Sequence, residues 1–326
     1  MKLRPYFFEI VLYLNTAWVF WTVRGNALLT MKESAVNAGL QSLGATLIGM
    51  LLRFLLAWRR RHGRRYIAIV TSPRWLTDTF RLLVGMIFLG ETYGWIKLLV
   101  PALHPVFYDA ALYRIDAAIF FGMSPSIFFL QLFSNPRFLH FIDDAYLSFF
   151  FGGMLFALGF FFSIPKRRVR ITFVTSSVLM WLSGAWLYML IPSLGPAYRF
   201  PDVWFPYVKE LPRTQLTQAM LMRNYQAVIR LVRGLGPEKI TLSYGIAAFP
   251  SLHVATQVQI AMWMRKWWRP GAILFTLTAF FVFIGSMITG WHYLIDGIAG
   301  IALAWVSYAA AHWVARKEFR PSRARF

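Results

Sequence analysis

Apolar stretches about twenty residues long alternate with short polar ones along most of the chain. The first runs from about Pro5 to Val23, the second from Ser34 to Trp58, and the third from Trp75 to Val100. The fourth covers about Phe138 to Ile164 and the fifth Ile171 to Ile191. The sixth starts at Phe249 and ends at Arg265, the seventh runs from Gly271 to Thr289, and the eighth from Trp291 to Arg316. A helix needs about 20 apolar residues to cross hydrocarbon. Lipid offers no water to unpaired backbone groups, so such stretches span as helices. The pattern predicts an all-α integral membrane protein with about eight transmembrane helices. Residues 1–100 read as N-terminal transmembrane helices and 138–326 as a transmembrane core with an outer loop over 193–248. Between them, 101–137 reads as interfacial amphipathic helices broken at Pro101, Pro105, Pro125 and Pro136. Within the outer loop a helix is expected near Leu216–Val232.

Composition agrees with the pattern. Of 326 residues, 58% are hydrophobic and 18% aromatic, which no ordinary soluble domain carries. The first stretch has no small-residue cleavage site and reads as an uncleaved anchor. Gly39, Gly44 and Gly49 lie near one stripe of the second, which suits close helix packing. Polar residues of the third stretch, Asp78, Arg81, Glu91 and Lys97, are expected to reach the headgroups from its ends.

The formal charge of +21 would point to nucleic acid in a soluble protein. Here the charge sits in runs: Arg59–Arg65, Pro165–Arg170, Arg265–Pro270 and the tail from Arg316. Runs between apolar stretches mark cytoplasmic loops instead, so no nucleic-acid partner is expected. With eight spans, these runs and both termini share the cytoplasmic side. Pro192–Arg199, Pro250–His253 and His292 then share the other side, periplasmic or lumenal. The sequence has no N-x-S/T acceptor site and short tails, which favours a bacterial inner membrane. No internal repeat suggests a transporter. There is no cysteine, hence no disulfide, thiol nucleophile or zinc thiolate site. No carboxylate cluster suggests a metal, and no cofactor is expected.

Two short stretches carry the chemistry. His292 and Asp296 are four apart, one turn on a helix face. A carboxylate there can accept from one imidazole nitrogen and leave the other basic. An oriented neutral imidazole is a nucleophile, and phosphorus is a plausible target. His253 is the candidate general acid and base. Pro250-Ser251 before it reads as a helix start whose Ser251 hydroxyl and free N–H groups favour an anion. Only six histidines are present, and two sit in these stretches. Asp143, Asp144 and Tyr146 either serve the site or face interfacial water. Asp109, Arg114 and Asp116 read as surface groups or a substrate rim. Arg213, Arg223, Arg230, Arg233 and Lys239 lie on the non-cytoplasmic side against the charge trend, which suggests anion binding.

These residues resemble the type-2 phosphatidic acid phosphatase superfamily of membrane lipid phosphatases and phosphotransferases. That family carries P-S-G-H and then S-R-x5-H-x3-D. Pro250-Ser251-Leu252-His253 matches the first with Leu for Gly, and His292 and Asp296 match the end of the second. The family's Ser-Arg pair falls on Gly285 and Ser286, and its K-x6-R-P motif finds no counterpart. The F-P-S-L-H form, the lost Arg and the H-Y-x-x-D ending with Tyr293 are more similar to the inositol phosphorylceramide synthase (aureobasidin-resistance) branch. The resemblance implies a six-helix-type phosphatase/phosphotransferase core, with the catalytic residues in 138–326, and a phosphohistidine intermediate on His292. It also implies substrate-side roles for Tyr198, Arg199 and Tyr293, with Arg199 standing in for the missing phosphate-binding Arg; Lys239 joins them as a substrate-binding candidate from the outer-loop charge. The expected partners are a membrane phospholipid donor and a lipid or sugar alcohol acceptor. Hydrolysis of a lipid phosphate or polyprenyl pyrophosphate is the alternative, and a non-enzymatic lipid binder or transporter is a third reading.

Overall fold

The computed structural model describes residues 4–23, 27–235, 240–242 and 244–320. Every regular element among them is a helix. In chain order these are α1 (Phe7–Val23), α2 (Ala27–Arg59), α3 (Gly63–Val70), α4 (Pro73–Leu103), α5 (Asp109–Ile119), α6 (Pro125–Leu132) and α7 (Pro136–Phe162). There follow α8 (Arg167–Leu190), α9 (Pro196–Arg199), α10 (Pro201–Trp204), a 3-10 turn (Phe205–Tyr207), α11 (Pro212–Val232), α12 (Leu252–Trp267), α13 (Arg269–Ile288) and α14 (Leu294–Glu318). Six are long and apolar enough to cross a membrane: Ser34–Arg59 of α2, and α4, α7, α8, α13 and α14. That fits an integral membrane protein. The expected first and sixth spans fall on α1, of 17 residues, and α12, of 16, both shorter than those six.

Prolines open helices here rather than merely breaking them. Pro73, Pro125, Pro136 and Pro212 are the first residues of α4, α6, α7 and α11. The first helical N–H has no partner in any case, and the fixed φ of proline suits that position. Pro101 does not break its helix; it lies inside α4 near the end. The helix expected near Leu216 begins earlier, at Pro212. Asp143 sets that start, because its carboxylate accepts from the backbone N–H of Arg213 and of Thr214, each at 2.8 Å.

The chain divides into two compact units. The first comprises residues 1–92, 155–182 and 305–326. Asp78, Arg81 and Glu91, expected to reach the headgroups, are paired inside it instead. Glu9 accepts from Arg81, and Asp78 accepts from the Tyr6 hydroxyl and, at 2.7 Å, from Arg167. Glu91 is buried and accepts from Ser34 at 2.6 Å. Charge in an apolar surround costs much less when paired, so packing overrides the expected reach to headgroups. Gly49 meets the backbone of Gly159, and a Cβ there would collide with that carbonyl.

The second unit comprises residues 93–154 and 183–304. Leu130, Ile142, Trp204, Leu211 and Ile288 form one of its cores, joining α6, α7, α10 and α13. The Trp204 indole N–H donates to the Ile288 carbonyl at 2.8 Å, at the end of α13. That contact steadies the turn from which the chain enters residues 290–296.

Candidate active site

Ser251 caps α12, and its hydroxyl accepts from the Val254 N–H at 3.4 Å. The Phe249 N–H donates to Ser193 Oγ at 3.0 Å, and the Ala248 N–H to the Ser193 carbonyl, also at 3.0 Å. The Ser251 N–H donates to the Asp296 carbonyl at 2.9 Å. Gly300 has no room for a Cβ, because the Ser251 carbonyl lies against it. Backbone bonds thus stitch the Pro192–Arg199, Pro250–His253 and His292–Asp296 stretches together.

His292 is not on a helix face. It stands in the turn before α14, and Asp296 lies in the first turn of that helix. The pair meets all the same: His292 Nδ1 is 3.4 Å from Asp296 Oδ2. The same oxygen accepts from the Tyr293 N–H at 2.9 Å. The carboxylate therefore works as a helix cap that also reaches the imidazole. The His292 N–H is itself fixed, donating to the Ser286 carbonyl at 3.2 Å. Both side chains are buried, Asp296 fully.

With Nδ1–H given to Asp296, the lone pair of His292 is on Nε2. His253 Nδ1 lies 3.2 Å from that atom. The Tyr146 hydroxyl lies 2.9 Å from the same His253 nitrogen. The Phe150 ring, 4.4 Å away between centroids, walls the imidazole on another side. In the sequence Tyr146 fits either the site or the interface; in the structure it is buried against His253.

The other expected site residues fall in several places. Tyr198 donates from its hydroxyl to the Gln218 carbonyl at 3.2 Å, and burial pushes its phenol pKa up. Its ring lies 6.3 Å from that of Trp291. Tyr293 is buried and donates to Asp109 at 3.0 Å; burial, then the neighbouring Asp109, raise its pKa. Arg199 is exposed, with its guanidinium over the Phe200 ring at 5.8 Å, and no contact brings it to the histidines among the described residues. Arg213 pairs with Asp144 at 2.9 Å. Lys239 lies outside the described residues.

Ser286, at the family's Arg position, is fully buried and bonds the Phe283 carbonyl. A different cation stands near. Lys97 Nζ is 5.9 Å and 5.6 Å from the Tyr93 and Tyr188 ring centroids, and its charge acts on His253. No ion pair involves it among the described residues. Its stem packs on Gly245. In the sequence Lys97 precedes His104-Pro105 with six residues between, a spacing similar to K-x6-R-P with histidine at the arginine position. His104 Nδ1 contacts the Met189 carbonyl at 2.8 Å.

Asp109 and Asp116 are not surface groups; both are buried within the second unit. Burial pushes the Asp116 carboxyl up to about 6, against the two backbone N–H groups that favour its charge. No group of three or more His, Cys, Asp or Glu among the described residues could hold a metal ion.

A family model of the PAP2 superfamily matches residues 110–310, which contain His253, His292 and Asp296; Lys97 lies before them. No curated protein and no solved structure matches the chain.

Proposed function

The chain belongs to the PAP2 superfamily, a family of phosphatases and phosphotransferases, and from that premise we propose that it moves a phospho-headgroup between lipids. The donor is a membrane phospholipid and the acceptor a lipid or sugar alcohol. The observation that carries the reading is the buried His292 with Nδ1 on Asp296 and Nε2 toward His253. The F-P-S-L-H and H-Y-x-x-D forms favour the inositol phosphorylceramide synthase-like branch over plain hydrolysis.

His292 Nε2 attacks the donor phosphorus, and the bond from phosphorus to the departing lipid oxygen breaks. That oxygen takes a proton from the His253 imidazolium. The phospho-headgroup now sits on His292. The acceptor hydroxyl gives its proton to His253 and attacks the phosphorus, and His292 leaves with its lone pair restored. Proton transfer of this kind contributes about 10²- to 10⁴-fold. The rest requires stabilised phosphoryl oxygens. Lys97 is the cation we assign to that task. For phosphorus to reach Nε2, the contact between the two histidines opens, and Tyr146 is the partner His253 Nδ1 retains.

In this reading α1 and α12 complete eight spans, the basic runs and termini face the cytoplasm, and the histidines open to the periplasm or lumen. The test is product analysis with purified protein in liposomes. Headgroup-labelled phosphatidylinositol is supplied with and without ceramide, diacylglycerol or a prenol, beside the His292→Ala variant. Label moving to a new lipid only with an acceptor present supports transfer. Phosphate released from monoester or pyrophosphate lipids regardless of acceptor replaces it with hydrolysis. Lipid binding without any turnover leaves only a binder.

A further inference from the structure

Asp109 and Asp116 are seven apart on α5, so they share one face of it. Neither pairs with a cation among the described residues. Instead, five donors converge on them. Asp116 accepts from the N–H of Leu294 at 2.7 Å and of Ile295 at 2.9 Å. Asp109 accepts from the Tyr293 hydroxyl at 3.0 Å, from the Gly195 N–H at 2.9 Å and from the Leu194 N–H at 3.0 Å.

We propose that α5 is a positioning element for the active site: Asp116 and Asp109 hold the turn after His292, and with it the imidazole, in reacting geometry. This rests on the reading of His292 as nucleophile. The first backbone N–H groups of a helix have no partner within it. At α14 the Tyr293 N–H goes to Asp296, while those of Leu294 and Ile295 go to Asp116. The two carboxylates therefore cap one helix start together. If Asp116 let go, the first turn of α14 would loosen, and Asp296 and His292 would move with it. Asp109 fastens the same turn by a side chain and ties the 194–195 backbone to it. That backbone continues to the Ala197 N–H, which donates to the Gly290 carbonyl at 2.9 Å, two residues before His292. Buried carboxylates are costly to desolvate, and an apolar residue would fill the space more cheaply. What apolar residues cannot do is fix five donors in direction. Misplacement by about 1 Å at a reacting group costs about 10²-fold in rate. Asp109 and Lys97 both lie before residue 110, where the family match begins.

The full chain in detergent tests this with Asp116→Ala, Asp109→Ala and His292→Ala. Asp143→Ala is the comparison, since Asp143 makes the same two-donor cap on α11. The probes are labelled phosphatidylinositol with diacylglycerol, and short-chain phosphatidic acid. Asp116→Ala and Asp109→Ala are expected to lower kcat about 10- to 100-fold with KM within about threefold. Asp116→Asn, which keeps one acceptor, is expected to fall between Asp116→Ala and the unmodified chain. Asp143→Ala is expected to lose a similar amount of thermal stability but to keep kcat within about threefold. If His292→Ala is inactive while both α5 variants turn over normally, the positioning role is wrong and the nucleophile stands. Equal loss of kcat in all three aspartate variants, or a change in KM alone, also overturns it. Turnover surviving in His292→Ala sinks the nucleophile itself, whatever the α5 variants do. Should Asp116→Ala fail to fold, Asp116→Asn and Asp109→Ala give the same reading.

Discussion

His253 Nδ1 sits 3.2 Å from His292 Nε2 and 2.9 Å from the Tyr146 hydroxyl, so one nitrogen has two partners. When substrate parts the histidines, the tyrosine alone orients His253. Tyr146→Phe is expected to keep the fold, because the ring fills the same buried space. One neutral hydrogen bond is worth about 0.5–1.5 kcal/mol, or about 2- to 10-fold in kcat/KM. The His253 limb of the pH–rate profile should shift as well. Steady-state kinetics between pH 5 and 9 measure both, and an unchanged profile would remove Tyr146 from the site.

Lys97 should bind phosphoryl oxygens and stabilise their charge in the transition state. Lys97→Ala is expected to lower kcat/KM about 10²- to 10³-fold, as removing a preorganised electrostatic group does. Lys97→Arg should recover part of it. Inhibition by orthovanadate, read as a shift in its half-inhibition concentration, checks the binding role. A Lys97→Ala variant as sensitive to vanadate as the unmodified protein would contradict it.

Gly300 lies where α14 crosses the Ser251 carbonyl. Gly300→Ala should destabilise by about 1–3 kcal/mol, because two backbones must separate. It should also impair turnover, since the Ser251 N–H bonds the Asp296 carbonyl across the same contact. Gly152→Ala, with nothing near its Cβ position, is the control and should stay within about 0.5 kcal/mol. Thermal unfolding in detergent compares them; equal midpoints for the two variants would refute the crossing.

Asp116 gives a pH dependence with a definite sign. Its carboxyl rises from 3.8 to about 6 on burial. The folded state then holds a proton that the unfolded chain releases, between about pH 4 and 6. This group therefore favours folding more at the acid end, and that contribution fades as pH rises through about 6. Asp116→Asn cannot titrate. The difference in unfolding midpoint between the unmodified chain and this variant should grow as pH falls from 7 to 4. A difference that stays flat over that range argues against a raised pKa.

The sequence by itself determined which stretches are apolar helices, because periodic burial in lipid needs only composition and length. Six of the eight expected spans meet the length and hydropathy of a crossing helix. It also placed His253, His292 and Asp296 as candidates through spacing, since their chemistry needs those residue types. Tertiary structure decided what faces what. Asp109 and Asp116 look like surface charge in the sequence, because nothing local shows that N–H groups 85 and 178 positions away will be their partners. Tyr146 acquires its role only when α7 meets α12. Lys97 reads as a headgroup anchor until folding sets it against the Tyr93 and Tyr188 rings. A one-dimensional pattern records burial, but long-range hydrogen bonds and electrostatics depend on distances that only the folded backbone sets.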